Sequence, residues 1–336
     1  MKNRLSILIP ILFHISIANG QTYQKEFPDL KGTYLGQIPP DTIPDIYAPG
    51  IVSAGLYARD QILSAQIDSS GLKPDQFIKV ERLDSKTIIV RMGYDAVTAI
   101  STQKGIVVID AGISIGLTAK YRKIIVNEFQ RNDIAYLINT HGHPDHTGGN
   151  SVFSDAVIIG HENCFNEILN QWKDPEKVKF SLNKIVNDYD KELQSLVPGT
   201  NEWENVFCQK TRYQYAYDDV LKNCLVTKPN LTFIDSLNID MGDVKFNLIY
   251  FGKAHSESDI IAHIPTKKIL MVGDLFSQYG RPGFNVDNEQ YDERWIKVTG
   301  WIEDRWADID IVISGHGQIL SKEDLISFNG YVRRSK

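Results

Sequence analysis

Within residues 139–150 the chain reads Asn139-Thr140-His141-Gly142-His143-Pro144-Asp145-His146-Thr147-Gly148-Gly149-Asn150, so four metal-ligand side chains fall within six positions. Imidazole and carboxylate groups suit zinc and related divalent ions. His141 and His143 stand two apart in a loop, where both rings can face one side. Asp145 and His146 follow at the turn into a helix, where they can face a second ion. The segment comes directly after the apolar run Ile134 to Asn139, which reads as a buried strand, and Gly148 and Gly149 let the new helix pack closely on it. A polar loop with three histidines by coincidence is the bland alternative, and the density of ligands weighs against it.

Runs rich in Val, Ile and Thr surround this segment. Thr87 to Met92, Val97 to Thr102 and Ile106 to Asp110 read as consecutive antiparallel strands. Helices and strands then alternate, with a helix over Leu117 to Gln130 and a strand over Ala156 to Gly160. Further strands are expected at Leu231 to Asp235, Val244 to Tyr250, Ile260 to Ile264, Ile269 to Val272 and Ile309 to Ser314. A helix around Tyr291 to Trp306 separates the last two, and a final helix starts at Ser321 with Asp324 three residues on.

Residues 162–229 form a helical insertion in this pattern. Phe165, Ile168, Leu169 and Trp172 make one helical face, and Asp174-Pro175 reads as an N-cap with Pro in the first turn. A second stripe runs from Val178 to Leu196. The aromatics Trp203, Phe207, Tyr213, Tyr215 and Tyr217 either wall a pocket or pack the insertion's own core. Trp295, Trp301 and Trp306 read as helix-packing residues, as does His263 within its strand, while His161 is open between pocket and core.

The N-terminus reads as a targeting segment. Lys2 and Arg4 precede the apolar run Leu5 to Ala18, and Ala18-Asn19-Gly20 supplies small residues for cleavage of residues 1–20, His14 among them. That run falls short of the roughly 20 residues needed to span a bilayer. The mature chain is therefore expected to be exported to the periplasm or beyond, with no membrane partner. Residues 21–76 read as an arm with a helix from Val52 to Gln66, ahead of one large unit over 77–336.

The net charge of −6 falls to −8 once Lys2 and Arg4 are removed, and no long basic run appears, which argues against nucleic acid as a partner. Cys164, Cys208 and Cys224 include no Cys-x-x-Cys pair, so a thiolate zinc site is not expected; Cys208 with Cys224 is one of three possible pairings.

The loop resembles the His-x-His-x-Asp-His signature of the metallo-β-lactamase superfamily, and the other motifs follow in order over roughly Phe77 to Val332. They are Asp110 in Val107-Val108-Ile109-Asp110-Ala111-Gly112, His255 in Gly252-Lys253-Ala254-His255-Ser256, Asp274 in Met271-Val272-Gly273-Asp274-Leu275, and His316 in Ser314-Gly315-His316-Gly317. The resemblance implies an α/β fold, a four-layer αβ/βα sandwich with the helical insertion. It also implies two divalent ions, expected to be zinc. One would sit on His141, His143 and His255, the other on Asp145, His146 and His316, with Asp274 bridging. Asp110 is expected to accept a hydrogen bond from a ligating histidine.

The implied reaction is hydrolysis of a small-molecule substrate, with a water shared by the two ions as nucleophile and Asp145 orienting it. The β-lactamases that most resemble this loop carry Cys or Ser where this chain has Asp274. An Asp there resembles the superfamily's lactonases, thioesterases, phosphodiesterases and alkylsulfatases, so an ester, lactone or related carbonyl bond is the expected target. β-Lactam hydrolysis is the runner-up. An iron-dependent dioxygenase of the same fold and a non-catalytic metal-binding protein are the alternatives from other classes, and the intact ligand set weighs against the last.

Overall fold

The computed structural model describes residues 14–16, 22–24, 73–222, 226–276, 289–321 and 323–325. The expected helix at Val52 to Gln66 lies outside these residues, as does most of the expected signal segment and arm. A short antiparallel ribbon pairs β1 (His14–Ser16) with β2 (Thr22–Gln24).

Two sheets make the body of the protein. The first runs in chain order through β3 (Lys79–Asp84), β4 (Thr87–Met92), β5 (Asp95–Thr102), β6 (Gly105–Ile109), β7 (Ile134–Ile138), β8 (Val157–His161) and β9 (Leu231–Phe233). It is antiparallel from β3 to β6 and parallel from β6 to β9. The second contains β10 (Ser236–Asp240), β11 (Lys245–Tyr250), β12 (Ile260–Ile264), β13 (Ile269–Met271), β14 (Ile311–Ile313) and β15 (Ile319–Leu320), with only β13 and β14 parallel among these strands.

The near-continuous apolar runs have a simple cause: the central strands are covered on both faces. Ile89, Val107, Ile109, Ile138 and Ile159 point to the second sheet, where they meet Phe246, Leu248, Ile260, Ala262, Met271 and Ile313. Their neighbours Ile88, Val90, Ile106, Val108, Leu137 and Ile158 point the other way. There they pack on Leu117, Tyr121 and Ile125 of α1 (Ile115–Phe129). On the far side Leu270, Val272 and Val312 meet Trp295, Val298 and Ile302 of α6 (Glu289–Glu303). Helix, sheet, sheet and helix are thus the four layers, joined by burial that contributes roughly 1.5–3 kcal/mol for each large apolar side chain.

Three strands of the two main sheets do not announce themselves in the sequence. β3 is an edge strand of alternating charge, Lys-Val-Glu-Arg-Leu-Asp, with no continuous apolar face to signal it. β10 alternates polar and apolar residues over five positions, and β15 has only two residues. The remaining strands from β4 to β14 overlap the runs that predict them; β5 starts two residues earlier than expected, at Asp95, and β14 is shorter, at Ile311–Ile313.

Between β8 and β9 the chain forms α3 (Cys164–Gln171), α4 (Pro175–Ser195) and α5 (Asn201–Leu221). Asp174 caps α4 by accepting from the Lys177 amide, with Pro175 in the first turn. Trp203 and Phe207 of α5 stack on each other and against Phe77, so these aromatics pack the helix onto the body. Tyr213 stacks on Tyr189 of α4, and Tyr215 packs beside α1. Cys164 and Cys208 are free, buried thiols; Cys224 lies outside the described residues. No helix among the described residues is long and apolar enough to cross a membrane.

Candidate metal centre

Every expected site residue stands just beyond a strand, at one end of the sandwich. Asp110 follows β6, and His141 to His146 follow β7. His255 lies between β11 and β12, Asp274 follows β13, and His316 lies between β14 and β15. The Asp110 amide donates to the Ile138 carbonyl, and the Ile260 amide donates to the Thr140 carbonyl, joining the two sheets beside the loop. Asn139 and Asn150 exchange side-chain hydrogen bonds of 2.9 Å across the loop's base. His143 then starts the one-turn α2 (Pro144–Thr147), which carries Asp145 and His146.

The fold brings all seven expected ligands together. Three groups form: His141 with His143 and His255, His141 with His146 and Asp274, and Asp145 with His146 and His316. Within each group the candidate donor atoms lie within 4.8 Å of one another. His143 Nδ1 and His255 Nε2 are 3.1 Å apart. Asp274 Oδ2 lies 3.1 Å from His316 Nε2, 3.4 Å from His146 Nε2 and 3.7 Å from His255 Nε2, between the two ends of the cluster. Gly315 leaves the room: a β-carbon there would sit 2.5 Å from Asp274 Oδ1 and 2.7 Å from the His146 ring.

The donor set fits divalent ions. His141 Nε2, His146 Nε2 and Asp274 Oδ1 are buried without a hydrogen-bond partner, an arrangement that costs free energy unless a cation accepts the lone pairs. The electrostatics agree. Burial drives the His141 ring well below its ordinary pKa, with His146 adding to the effect. Burial also holds His255 down to about 4, against Asp274 and with His143. His146 goes the other way: burial opposes its charge, but Asp274, Asp110 and Asp145 raise it well above the ordinary value. Asp145 falls to about 2 despite burial, through His146 and Arg212. Asp274 is likewise held well below the usual carboxylate range despite burial, mainly by His146. The carboxylates thus demand positive charge at the centre, which a divalent ion would supply in place of a proton.

Asp110 lies against a histidine of the cluster, and the backbone shows how. Its φ of 60° is left-handed, a conformation Asp tolerates better than most residues, and it turns the carboxylate back under the loop. Oδ1 accepts from the Thr140 amide, and Oδ2 accepts from Thr140 Oγ1 and faces His146 Nδ1 at 3.0 Å. That contact places the His146 proton on Nδ1 and turns Nε2 toward the cluster. His316 is fixed in the same way by its Nδ1 contact with the Tyr94 carbonyl, at 2.5 Å.

Three contributors escape a sequence reading. Arg212 of α5 donates to Asp145 Oδ2. Glu167 of α3 touches the His141–His143 loop. Asp259 accepts from the amides of Ala254 and Ser256 on either side of His255. The one available signal was a charged residue amid buried neighbours in an amphipathic helix: Arg212 follows Cys208, Gln209 and Thr211. His161, in contrast, is structural. It is buried, donates to the Ile234 carbonyl and stacks on Tyr250. His263 packs edge-on against Trp301.

Comparison with known proteins agrees with this geometry. The model of the metallo-beta-lactamase superfamily matches residues 93–316. The metallo-beta-lactamase type 2 of Bacillus sp. (strain 170) is 22% identical over 223 residues, 66% of this chain and 66% of its own length. The 2,4-dinitroanisole O-demethylase subunit alpha of Nocardioides sp. (strain JS1661) is 21% identical over 264 residues, 77% of this chain and 64% of its own. The chain therefore spans about two thirds of each relative's length. Among solved structures, a metallo-beta-lactamase from Pontibacter korlensis superposes with a TM-score of 0.50 at 15% identity, over 76% of this chain and 99% of that one. With its family model matched across both sheets and the whole histidine and aspartate cluster, the chain belongs to the metallo-beta-lactamase superfamily.

Proposed function

We propose that this protein is a hydrolase that uses two divalent ions, zinc by donor type, to cleave an ester, lactone or related carbonyl bond in a small molecule. His141, His143 and His255 would hold one ion, and Asp145, His146 and His316 the other. The observation that carries the reading is Asp274 Oδ2, which lies within 3.7 Å of His255 on one side and of His146 and His316 on the other. A carboxylate placed between two groups of imidazoles is suited to bridging two cations. When bound, the ions supply Lewis acidity toward the substrate's oxygen and acidify water to near neutral pH.

The chain's own residues do the rest. Asp110 fixes the tautomer of His146, and Arg212 fixes one oxygen of Asp145, leaving the other to face the centre and orient a water molecule. β-Lactam hydrolysis is the second reading, supported by relatives named as metallo-beta-lactamases; Asp274 in place of Cys or Ser favours the first. Export with cleavage near Gly20 belongs to the same proposal and is tested by N-terminal sequencing of the secreted protein.

The test is turnover of ester, lactone, phosphodiester and β-lactam panels, with and without a chelator. Chelator-sensitive hydrolysis of esters or lactones, lost in Asp274→Ala, supports the reading. Hydrolysis of β-lactams alone selects the second reading. Iron-dependent oxygen uptake without hydrolysis rejects both.

A further inference from the structure

We propose that Glu167 is a positioning residue for the His141, His143 and His255 group, so that helix α3 is part of the metal centre and not merely a neighbour of it. The inference rests on the two-ion reading above.

Glu167 belongs to none of the motifs that define the centre, yet it reaches both loops that supply this group. Its Oε2 accepts from the Gly142 amide at 3.1 Å, between His141 and His143. The same oxygen accepts from Ser258 Oγ, and Oε1 accepts from the Glu257 amide at 3.2 Å. Those two residues lie just after His255. One carboxylate, with its side chain only 9% exposed, thus ties together segments more than a hundred residues apart in the chain.

Its fourth contact is with a ring of the group itself. Glu167 Oε1 lies 3.7 Å from His143 Nε2, while His143 Nδ1 faces His255 Nε2. A carboxylate on the Nε2 side favours the tautomer with its proton there, which leaves the Nδ1 lone pair for a cation. Two further features support the design. Gln171, one helical turn beyond Glu167 in α3, donates to the Gly142 carbonyl, so α3 holds both polar groups of that residue. At Gly142 a β-carbon would come within 2.7 Å of Glu167 Oε2 and 2.9 Å of the Cys164 carbonyl, so the approach of α3 requires glycine there.

A purely structural staple would stabilise metal-free and metal-loaded protein alike; a positioning residue also changes the difference between them. The experiment is a zinc titration against a competing chromophoric chelator, with melting curves of metal-free and loaded protein, for wild type and Glu167→Gln. The expected result is two ions in wild type. In Glu167→Gln one ion should bind as in wild type and the other roughly 10–100-fold more weakly. The rise in melting temperature on adding zinc should shrink. If both ions bind Glu167→Gln with wild-type affinity while only the metal-free melting point falls, Glu167 is a staple and the inference is overturned. Ser258→Ala, which removes one anchor of the same carboxylate, covers the case in which Glu167→Gln does not fold. A smaller weakening of the same ion is expected there, and unchanged affinity again overturns the inference. Wild type that binds no zinc overturns the two-ion reading itself and this inference with it, a result visible before any variant is made.

Discussion

Arg212 Nη2 donates to Asp145 Oδ2 at 3.2 Å, linking a helix between β8 and β9 to the ligand-bearing turn 67 residues earlier in the chain. The guanidinium is almost fully buried, and the charge of Asp95 also acts on it. Removing it would strand Asp145 and the buried Asp95 carboxylate without their cation. Arg212→Met is therefore expected to cost about 3–5 kcal/mol, the usual penalty for breaking a buried pair from one side. Lysine lacks the planar fork and is expected to recover little of this. Urea unfolding of both variants checks the prediction; a loss under about 1 kcal/mol would place the pair with ordinary surface salt bridges.

Asp110 is expected to matter through His146. Asp110→Ala leaves the Thr140 amide, Thr140 Oγ1 and the His146 ring without their acceptor, and it puts alanine at a left-handed φ. A destabilisation of roughly 2–4 kcal/mol follows for these groups together. Asp110→Asn tolerates the backbone and keeps one acceptor, so it should fold well while binding metal roughly 10–100-fold more weakly. Equal metal affinity in Asp110→Asn and wild type would show that the carboxylate does not orient His146.

A pH effect is expected from a residue remote from the ligands. Asp219 Oδ2 accepts from the Ile115 amide at the start of α1. Burial pushes its pKa up from 3.8 to about 7, only partly offset by that hydrogen bond. A carboxyl group whose folded pKa is raised favours folding while it is protonated. Its contribution is complete below pH 3.8 and is lost as pH rises through about 7. Asn mimics the protonated form and keeps an acceptor for Ile115. Wild type should therefore lose stability relative to Asp219→Asn between pH 5 and 8. Parallel urea midpoints for the two proteins across that range would refute it.

Under the two-ion proposal chelation should lower thermal stability, because the buried atoms of His141, His146 and Asp274 have no hydrogen-bond partner in the protein and bound ions would satisfy them. At a free metal concentration about a thousandfold above Kd each bound ion stabilises by about 4 kcal/mol. That corresponds to a melting shift on the order of 10 °C for a chain of this size. An unchanged melting curve in excess chelator would sink this prediction.

The sequence makes the histidine and aspartate cluster legible because its members are concentrated. Four of them occupy one loop, and His255, Asp274 and His316 each follow a β-like run in a matching motif. The core strands were legible for a related reason: burial on both faces leaves uninterrupted Val and Ile. β3 was hidden because an edge strand needs charge more than hydrophobicity. Glu167 and Arg212 were hidden by their location on amphipathic helices, where charged residues normally face solvent. Only the packing of α3 and α5 against the loop turns them inward, and no spacing along the chain encodes that.

Metal content per chain, measured by mass spectrometry on protein purified without added metal and with His146→Ala alongside, decides whether the seven side chains hold two divalent ions. Two zinc ions per wild-type chain and one in His146→Ala are expected, because His146 serves the Asp145 and His316 group while His141, His143 and His255 remain intact. Wild type without bound metal, or a metal content unchanged by the substitution, would contradict this.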